Sequence, residues 1–223
     1  MRTFYFMDFI KSLIHQLTTP EGLQQLATTY GWLIYVILFL IIFTETGLVV
    51  MPLLPGDSLL FAIGAVSAIT HNEGISIYVI VPLLVLAALC GDNVNYFVGR
   101  FLGVRIKQRE RVLFLKREYI LQTEAFYAKH GGKAIIMARF APIIRTIAPF
   151  VAGAGSMNYS RYIMFCIGGA ILWVTSISAA GYVFGTNAWV QKHIEMIVLG
   201  IIGVSLLPIF YQALKAGLKK KTA

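Results

Sequence analysis

The stretch MARFAPIIRTIAPFVAGAG, residues 137–155, decides the fold class of this chain. It is apolar enough to enter a bilayer, yet it carries Arg139 and Arg145 together with two prolines and two glycines. One charged side chain at the centre of a spanning helix costs about 2.5–3.5 kcal/mol on insertion scales. Both arginines are therefore expected to pair with acids, to face water, or to do both.

The composition places this stretch in an integral membrane protein. The chain has 223 residues, of which 58% are hydrophobic and 13% are charged. Soluble domains carry about 25% charged residues, so a soluble globular protein is excluded. The net charge of +9 is attributed to loops facing anionic lipid on the cytoplasmic side. No nucleic-acid partner is expected.

Long apolar runs predict an all-α, multi-pass architecture, because a span needs about 20 apolar residues. The predicted spans are residues 31–50, 75–98, 162–184 and 196–214. Two further apolar pieces, residues 51–69 and 133–157, are broken by proline and glycine. Residues 1–30 are expected to include an amphipathic helix lying on the membrane surface.

The placement of basic residues predicts the topology. Residues 100–133 hold nine of the nineteen lysines and arginines, and the tail at 216–223 is also basic. The positive-inside rule puts both regions, and more weakly the N-terminus, in the cytoplasm. Three apolar pieces lie between the two basic regions, so one of them must enter and leave on the same side. We expect this re-entrant hairpin at about 133–157, and the same parity predicts another at about 45–70 from the opposite face.

A faint internal match accompanies the two predicted hairpins. Setting Pro52 against Pro142 places Ala62 on Ala152. Inverted repeats whose broken helices meet at the midplane are a recurring transporter design. The transmembrane domain is expected at residues 31–215, with a cytoplasmic amphipathic helix at about 105–130 between its halves.

Four charged residues in the apolar pieces need partners. On an unbroken helix Arg139 and Arg145 would point to different sides, but Pro142 is expected to interrupt the helix and let both converge on one polar cavity. A turn at MPLLPGD, containing Pro55 and Gly56, would fold Asp57 back toward Glu45. An alternative is that these charges form buried structural ion pairs or lie at the interface.

The stretch CGDNVNYFVGRFLG, residues 90–103, spaces its glycines so that helices can approach closely. Asp92 is expected to bond Tyr96 on the next turn and to serve structure. The four histidines lack metal-ligand spacing, so no metal and no cofactor are expected. No H-E-x-x-H, G-x-S-x-G or phosphate-loop motif is present, and we expect no enzyme.

Three motifs together carry a resemblance to a known family. They are Glu45 followed by PGD, then GDNVNYFVGR, then ARFAPIIR with both arginines. The chain resembles the DedA (VTT-domain) family of bacterial inner-membrane proteins, which is related to eukaryotic lipid scramblases. The resemblance implies opposed re-entrant hairpins and transport of lipid such as undecaprenyl phosphate or a phospholipid, and it allows coupling to the proton motive force. It also implies importance for Glu45, Asp57, Arg139 and Arg145.

The residue chemistry agrees with a lipid phosphate as the ligand. Guanidinium forks bind phosphate in a bidentate manner, and helix amides after Pro142 would add donors. Glu45 and Asp57 would load and release protons. Two alternatives stay open: a proton-coupled small-ion or drug antiporter, and a non-transporting assembly factor. A homo-oligomer is compatible with the sequence.

Overall fold

The computed structural model describes residues 20–48, 56–72, 74–107, 111–112, 115–116, 127, 131–140, 142–155, 157–193, 196–197 and 200. In this part of the chain the helices are α1 (Pro20–Tyr30), α2 (Leu33–Gly47), α3 (Gly56–Ile69), α4 (Ile77–Lys107), α5 (Lys133–Ala138), α6 (Pro142–Ala154), α7 (Tyr159–Gly185) and α8 (Ala188–Lys192). Most of the predicted span at 196–214, the tail at 216–223, residues 1–19 and Pro55 lie outside the described residues.

Two of the helices are long and apolar enough to cross a bilayer. They are Ile77–Leu102 within α4 and Tyr159–Gly185, with mean hydropathies of 2.0 and 1.9. Only a third of the apolar 18-residue stretch within each helix is buried, so most of its surface faces outward. Outward-facing residues such as Leu86, Phe101 and Met164 would be an aggregation hazard in water. In lipid they would be stable, and these two candidate spans lie where spans were predicted, at 75–98 and 162–184.

The other apolar helices are shorter than a span. Helices α2, α3 and α6 contain 15, 14 and 13 residues. At 1.5 Å per residue each reaches roughly 20 Å, against about 30 Å of hydrocarbon. The helix of the 137–155 stretch is interrupted between Ala138 and Pro142, as predicted. Proline begins α6 at a position where its missing N–H costs no helical hydrogen bond.

The amphipathic helix expected at about 105–130 is wrong over part of its length. Residues Arg111–Val112 and Leu115–Lys116 form two antiparallel strands, with Val112 paired to Leu115. Short apolar runs rich in β-branched and aromatic residues suit either conformation, and periodicity alone does not separate them. Helical structure is present at Tyr127, and Gly131, at φ +61°, donates its amide hydrogen to Tyr127 O at 2.8 Å.

The chain forms two compact units that cut across the long helices. Unit 1 contains α1, α3, the first residues of α4 up to Val81 and the part of α7 from Thr175 onward. Unit 2 contains most of α2 from Leu38, the rest of α4, α5, α6 and α7 up to Val174. Each short apolar helix is thus grouped with a long helix from the other half of the sequence.

Unit 1 is held together by a close helix crossing between α3 and α7. A Cβ atom added at Gly64 would collide with Ser178 O and lie 2.8 Å from the amide nitrogen of Tyr182. A Cβ atom added at Gly181 would in turn collide with Phe61 O. Two glycines, one on each helix, therefore allow the backbones to touch.

Unit 2 repeats this crossing with α6 and α4. A Cβ atom at Gly153 would collide with Tyr96 O and lie 2.8 Å from the amide nitrogen of Arg100, and one at Gly99 would collide with Phe150 O. FAIGA at 61–65 therefore plays the same part as FVAGA at 150–154.

The repeat of contacts corrects the register expected from the sequence. Phe61 corresponds to Phe150 and Gly64 to Gly153, so the match is one residue away from the pairing of Ala62 with Ala152. Aligning the two prolines gave the wrong register, because the close backbone contacts of the helices, and not the turns before them, determine which residues are equivalent.

We expect Gly181→Ala and Gly99→Ala to destabilise the protein to a similar extent. The added methyl group meets backbone atoms that cannot rotate away, at a cost of about 1–3 kcal/mol that exceeds the roughly 1 kcal/mol helix-propensity gain. Gly168→Ala on α7 is the matched control, because its added Cβ meets only Ile136 Cδ1 at 3.9 Å. Thermal unfolding in detergent should show a lower Tm for both crossing variants. A Tm for Gly181→Ala equal to that of the control would contradict the tight crossing.

Candidate functional site: two buried ion pairs in broken helix

The two arginines of the opening stretch lie on either side of the helix break. Arg139 follows the last residue of α5, and Arg145 lies in the first turns of α6. Their exposed fractions are 5% and 9%. Both guanidinium groups are therefore withdrawn from the surface and need partners inside the protein.

Arg145 pairs with Glu45. Its Nη2 donates to Oε1 of Glu45, which lies in the last turn of α2 and is 1% exposed. The pair joins the C-terminal end of α2 to the N-terminal end of α6. Removing one member of a buried pair typically costs 3–5 kcal/mol, because the other charge is left in a medium of low dielectric constant.

Arg139 pairs with Asp92, and this corrects the expected bond between Asp92 and Tyr96. Nη2 of Arg139 donates to Oδ2 of Asp92, which is 3% exposed on α4. The Sγ atom of Cys166 lies 3.2 Å from the same oxygen, and the hydroxyl of Tyr162 donates to the backbone oxygen of Asp92 at 3.0 Å. Asp92 belongs to the charged cluster because an isolated carboxylate at this depth would be too costly.

Tyr96 serves the packing of α4 instead. Its hydroxyl donates to Met157 O at 2.5 Å, and its ring stacks on that of Tyr162 with the centroids 4.3 Å apart. The predicted structural role of Tyr96 is thus retained with a different partner.

Trp173 brings the two ion pairs together. The guanidinium carbon of Arg145 lies 4.8 Å from the centre of its ring, and that of Arg139 lies 5.9 Å from it. Both distances are within the range of cation–π attraction. The arginines thus converge on one place, as the helix break predicted, and the place is a buried cluster of two cations and two anions.

Asn95 braces the Glu45–Arg145 pair from α4. Its Nδ2 donates to Thr146 O at 2.7 Å and lies 3.3 Å from Thr46 O, and these carbonyls belong to the residues that follow Arg145 and Glu45. Two carbonyl acceptors fix which end of the amide is the nitrogen. Asn95 Oδ1 is buried and has no hydrogen-bond partner among the described residues.

Small residues let these side chains approach one another. A Cβ atom at Gly91 would collide with Thr46 Oγ1, and one at Gly169 would lie 3.0 Å from Cδ and Nε of Arg139. The glycines predicted to allow close helix contact in residues 90–103 therefore position α4 against the end of α2. Gly169 on α7 makes room for the arginine itself.

Asp57 and Pro142 are two further residues that the sequence predicted for the site. Asp57 lies in the first turn of α3, after Gly56, and belongs to unit 1, whereas the cluster belongs to unit 2. An acid in the first turn interacts favourably with the helix dipole. Pro142 begins α6 and so sets the interruption between the arginines. Within the described ranges no three His, Cys, Asp or Glu side chains are grouped so as to hold a metal ion.

Sequence reasoning missed Asp92 and Asn95 as members of the cluster. Their signal was an acid and an amide three residues apart in an otherwise apolar span, which places both on one helix face. Cys166 and Trp173 carried no such signal, because an apolar helix contains both types as ordinary packing residues.

Comparison with known proteins agrees with the sequence motifs. A family model described as the VTT domain matches residues 54–183. The chain is 45% identical over 205 residues to the protein DedA of Escherichia coli strain K12. This alignment covers 92% of this chain and 90% of that protein. The chain belongs to the DedA family.

Two further relatives of this DedA-family protein are described as membrane proteins. An uncharacterized membrane protein of Mycobacterium leprae is 42% identical over 189 residues, or 85% of this chain and 81% of the relative. The inner membrane protein YqjA of Escherichia coli strain K12 is 32% identical over 177 residues, or 79% of this chain and 78% of YqjA. No solved structure matches the chain. The VTT match contains Asp92, Arg139 and Arg145, and Glu45 precedes it.

We expect Asn95→Ala to lower the stability of the protein by about 1–3 kcal/mol, because it leaves two buried carbonyl groups without their donor. Asn93→Ala is the control, since Asn93 lies on a more exposed face of the same helix, where it donates to Leu89 O at 2.7 Å and accepts from the hydroxyl of Tyr159 at 2.8 Å. The measurement is Tm in detergent at fixed lipid content. Equal Tm values for the two variants would show that the brace contributes nothing.

Proposed function

We propose that this DedA-family protein moves lipids with a phosphate head group, such as undecaprenyl phosphate or a phospholipid, across the bacterial inner membrane. The observation that carries the proposal is the convergence of Arg139 and Arg145 in broken helix, each held by a carboxylate and both lying against Trp173. A guanidinium offers a planar fork that matches phosphate oxygens, and the helix start at Pro142 adds amide donors.

The residues beside the arginines favour a lipid over a soluble anion. Met137, Phe140 and Ile144 are 61%, 54% and 53% exposed, although each lies within two residues of a buried arginine. An acyl or polyprenyl chain can therefore remain against apolar side chains while its head group reaches the guanidinium groups. A soluble anion would gain nothing from this surface.

The balance of charge in the cluster supports proton coupling. Two arginines and two acids cancel, whereas a phosphomonoester brings a charge of about −1.5 to −2. Proton uptake by a carboxylate would offset the added charge in a medium of low dielectric constant. Glu45 and Asp57 are the proposed proton-exchanging residues, and we add Asp92 because it is paired with Arg139 in the same cluster as Glu45.

The proposal includes two opposed re-entrant hairpins, built around α3 and around α5 with α6. It is supported by the length of these helices, each too short to span, and by the repeated glycine crossings. The N- and C-termini and the basic segment at 105–129 are placed on the cytoplasmic side, against anionic lipid. Cysteines introduced in that segment should resist membrane-impermeant thiol reagents added outside, and one at position 187 should react. The reverse pattern would refute this topology.

We expect Arg139→Lys and Arg145→Lys to reduce lipid translocation at least about tenfold while preserving the fold. Lysine keeps the charge but loses the bidentate fork, and one charge-assisted hydrogen bond is worth about 1.5–3 kcal/mol. The measurement is translocation of a labelled polyprenyl phosphate, and of labelled phosphatidic acid, in proteoliposomes.

Arg161→Lys is the matched control, because Arg161 is an exposed arginine on α7. Wild-type rates in both site variants would contradict recognition of phosphate by the arginines. That result would favour the alternative in which the ion pairs only stabilise an assembly factor. Loss of proton transport with unchanged lipid movement would favour the small-ion antiporter.

A further inference from the structure

The two ion pairs are not held equally, and Glu45–Arg145 is the firmer one. Arg145 lies within helix α6. The side-chain amide of Asn95 donates to the backbone carbonyl groups of Thr46 and Thr146, the residues that come directly after Glu45 and Arg145. Separating this pair would also break the hydrogen bonds of a fully buried amide. Each buried polar group left without a partner costs about 1–3 kcal/mol.

Arg139 is less constrained, because it lies beyond the last residue of α5 in the link to α6. Its Nη2 atom donates a hydrogen bond to Asp92 Oδ2 and lies 3.3 Å from Cys166 Sγ. Its Nε atom is buried and has no hydrogen-bond partner within the described part of the chain. The guanidinium of Arg139 therefore retains a donor that an anion can use, although this donor does not distinguish Arg139 from Arg145.

Asp92 has a second side-chain contact that does not depend on Arg139. The thiol of Cys166 lies 3.2 Å from the same carboxylate oxygen, in position to donate its hydrogen. The carboxylate thus keeps a donor if the guanidinium turns away. This lowers the cost of separating the Asp92–Arg139 pair.

Building on the proposed function, we infer that Arg139 is the arginine that takes the phosphate. The phosphate replaces Asp92 on the guanidinium, Cys166 holds the displaced carboxylate, and the Glu45–Arg145 pair stays closed and anchors α6 to α2. The ligand class is a phosphomonoester. Its oxygens and higher charge allow it to displace a single carboxylate from the guanidinium fork.

An intramolecular carboxylate competes with the ligand in this arrangement, so its removal has a definite sign. Asp92→Asn removes the competing charge and should tighten phosphate binding about tenfold. Glu45→Gln removes the anchor and should lower Tm without tightening binding. If both arginines were equivalent, the two variants would behave alike.

The experiment measures binding of dioctanoyl phosphatidic acid to the purified full-length protein in detergent, with inorganic phosphate as a second probe. Wild type, Asp92→Asn and Glu45→Gln are compared at the same pH and salt concentration. Tighter binding to Asp92→Asn alone supports the inference. Unchanged or weaker binding to Asp92→Asn overturns it, and so does tighter binding to Glu45→Gln.

A second pair of variants tests the donor on Asp92 should Asp92→Asn not fold. Cys166→Ala should weaken binding severalfold, and Cys166→Ser should restore it, since a hydroxyl still donates. Cys90→Ala, at the half-buried cysteine of α4, is the control. Equal binding to the alanine and serine variants at position 166 would overturn the role of Cys166.

The two probes and the wild type separate this inference from the proposed function. Wild-type binding of the lipid without the predicted effects of the variants leaves the proposed function standing and rejects Arg139 as the phosphate ligand. An absence of binding to wild type and to every variant rejects both. Equal affinity for inorganic phosphate would identify a soluble anion, and not a lipid head group, as the ligand.

Discussion

Charge neutralisation in a medium of low dielectric constant is the constraint on which the rest of unit 2 depends. Arg139 and Arg145 can stay at this depth only because Asp92 and Glu45 reach them. These partners come from separate helices, so the end of α2, the middle of α4 and the break between α5 and α6 must meet. The ion pairs thus determine which helix ends lie together, and the break supplies the geometry.

Close glycine packing makes that meeting possible. The same crossing of a short and a long helix occurs in both units, yet the charged cluster lies in one of them. By the equivalence of Tyr96 with Ser178, the positions of Asp92 and Asn95 correspond to Val174 and Ile177. The framework is therefore repeated, whereas the polar residues that α4 contributes to the cluster have no polar counterparts on α7.

Much of this arrangement could be predicted from residue type and spacing. The two long spans and the interruption near Pro142 followed from hydropathy and from the chemistry of proline. Residues 111–116 were misjudged because four successive apolar residues fit a helix stripe and a strand equally well. The pairing of Arg139 with Asp92 could not be predicted, because it joins residues 47 positions apart through a tertiary contact that no local pattern encodes.

The most direct test of the central claim is the distance between the lipid phosphorus and the arginine guanidinium carbons in a membrane. Solid-state NMR of protein carrying ¹³C at arginine Cζ, in vesicles containing phosphatidic acid, measures it through ¹³C–³¹P dipolar dephasing. The account predicts dephasing at hydrogen-bonded range that decreases in Arg139→Lys and is unchanged in Arg161→Lys. Dephasing that is unchanged in Arg139→Lys, or absent from the wild type, would contradict a phosphate site at the buried ion pairs.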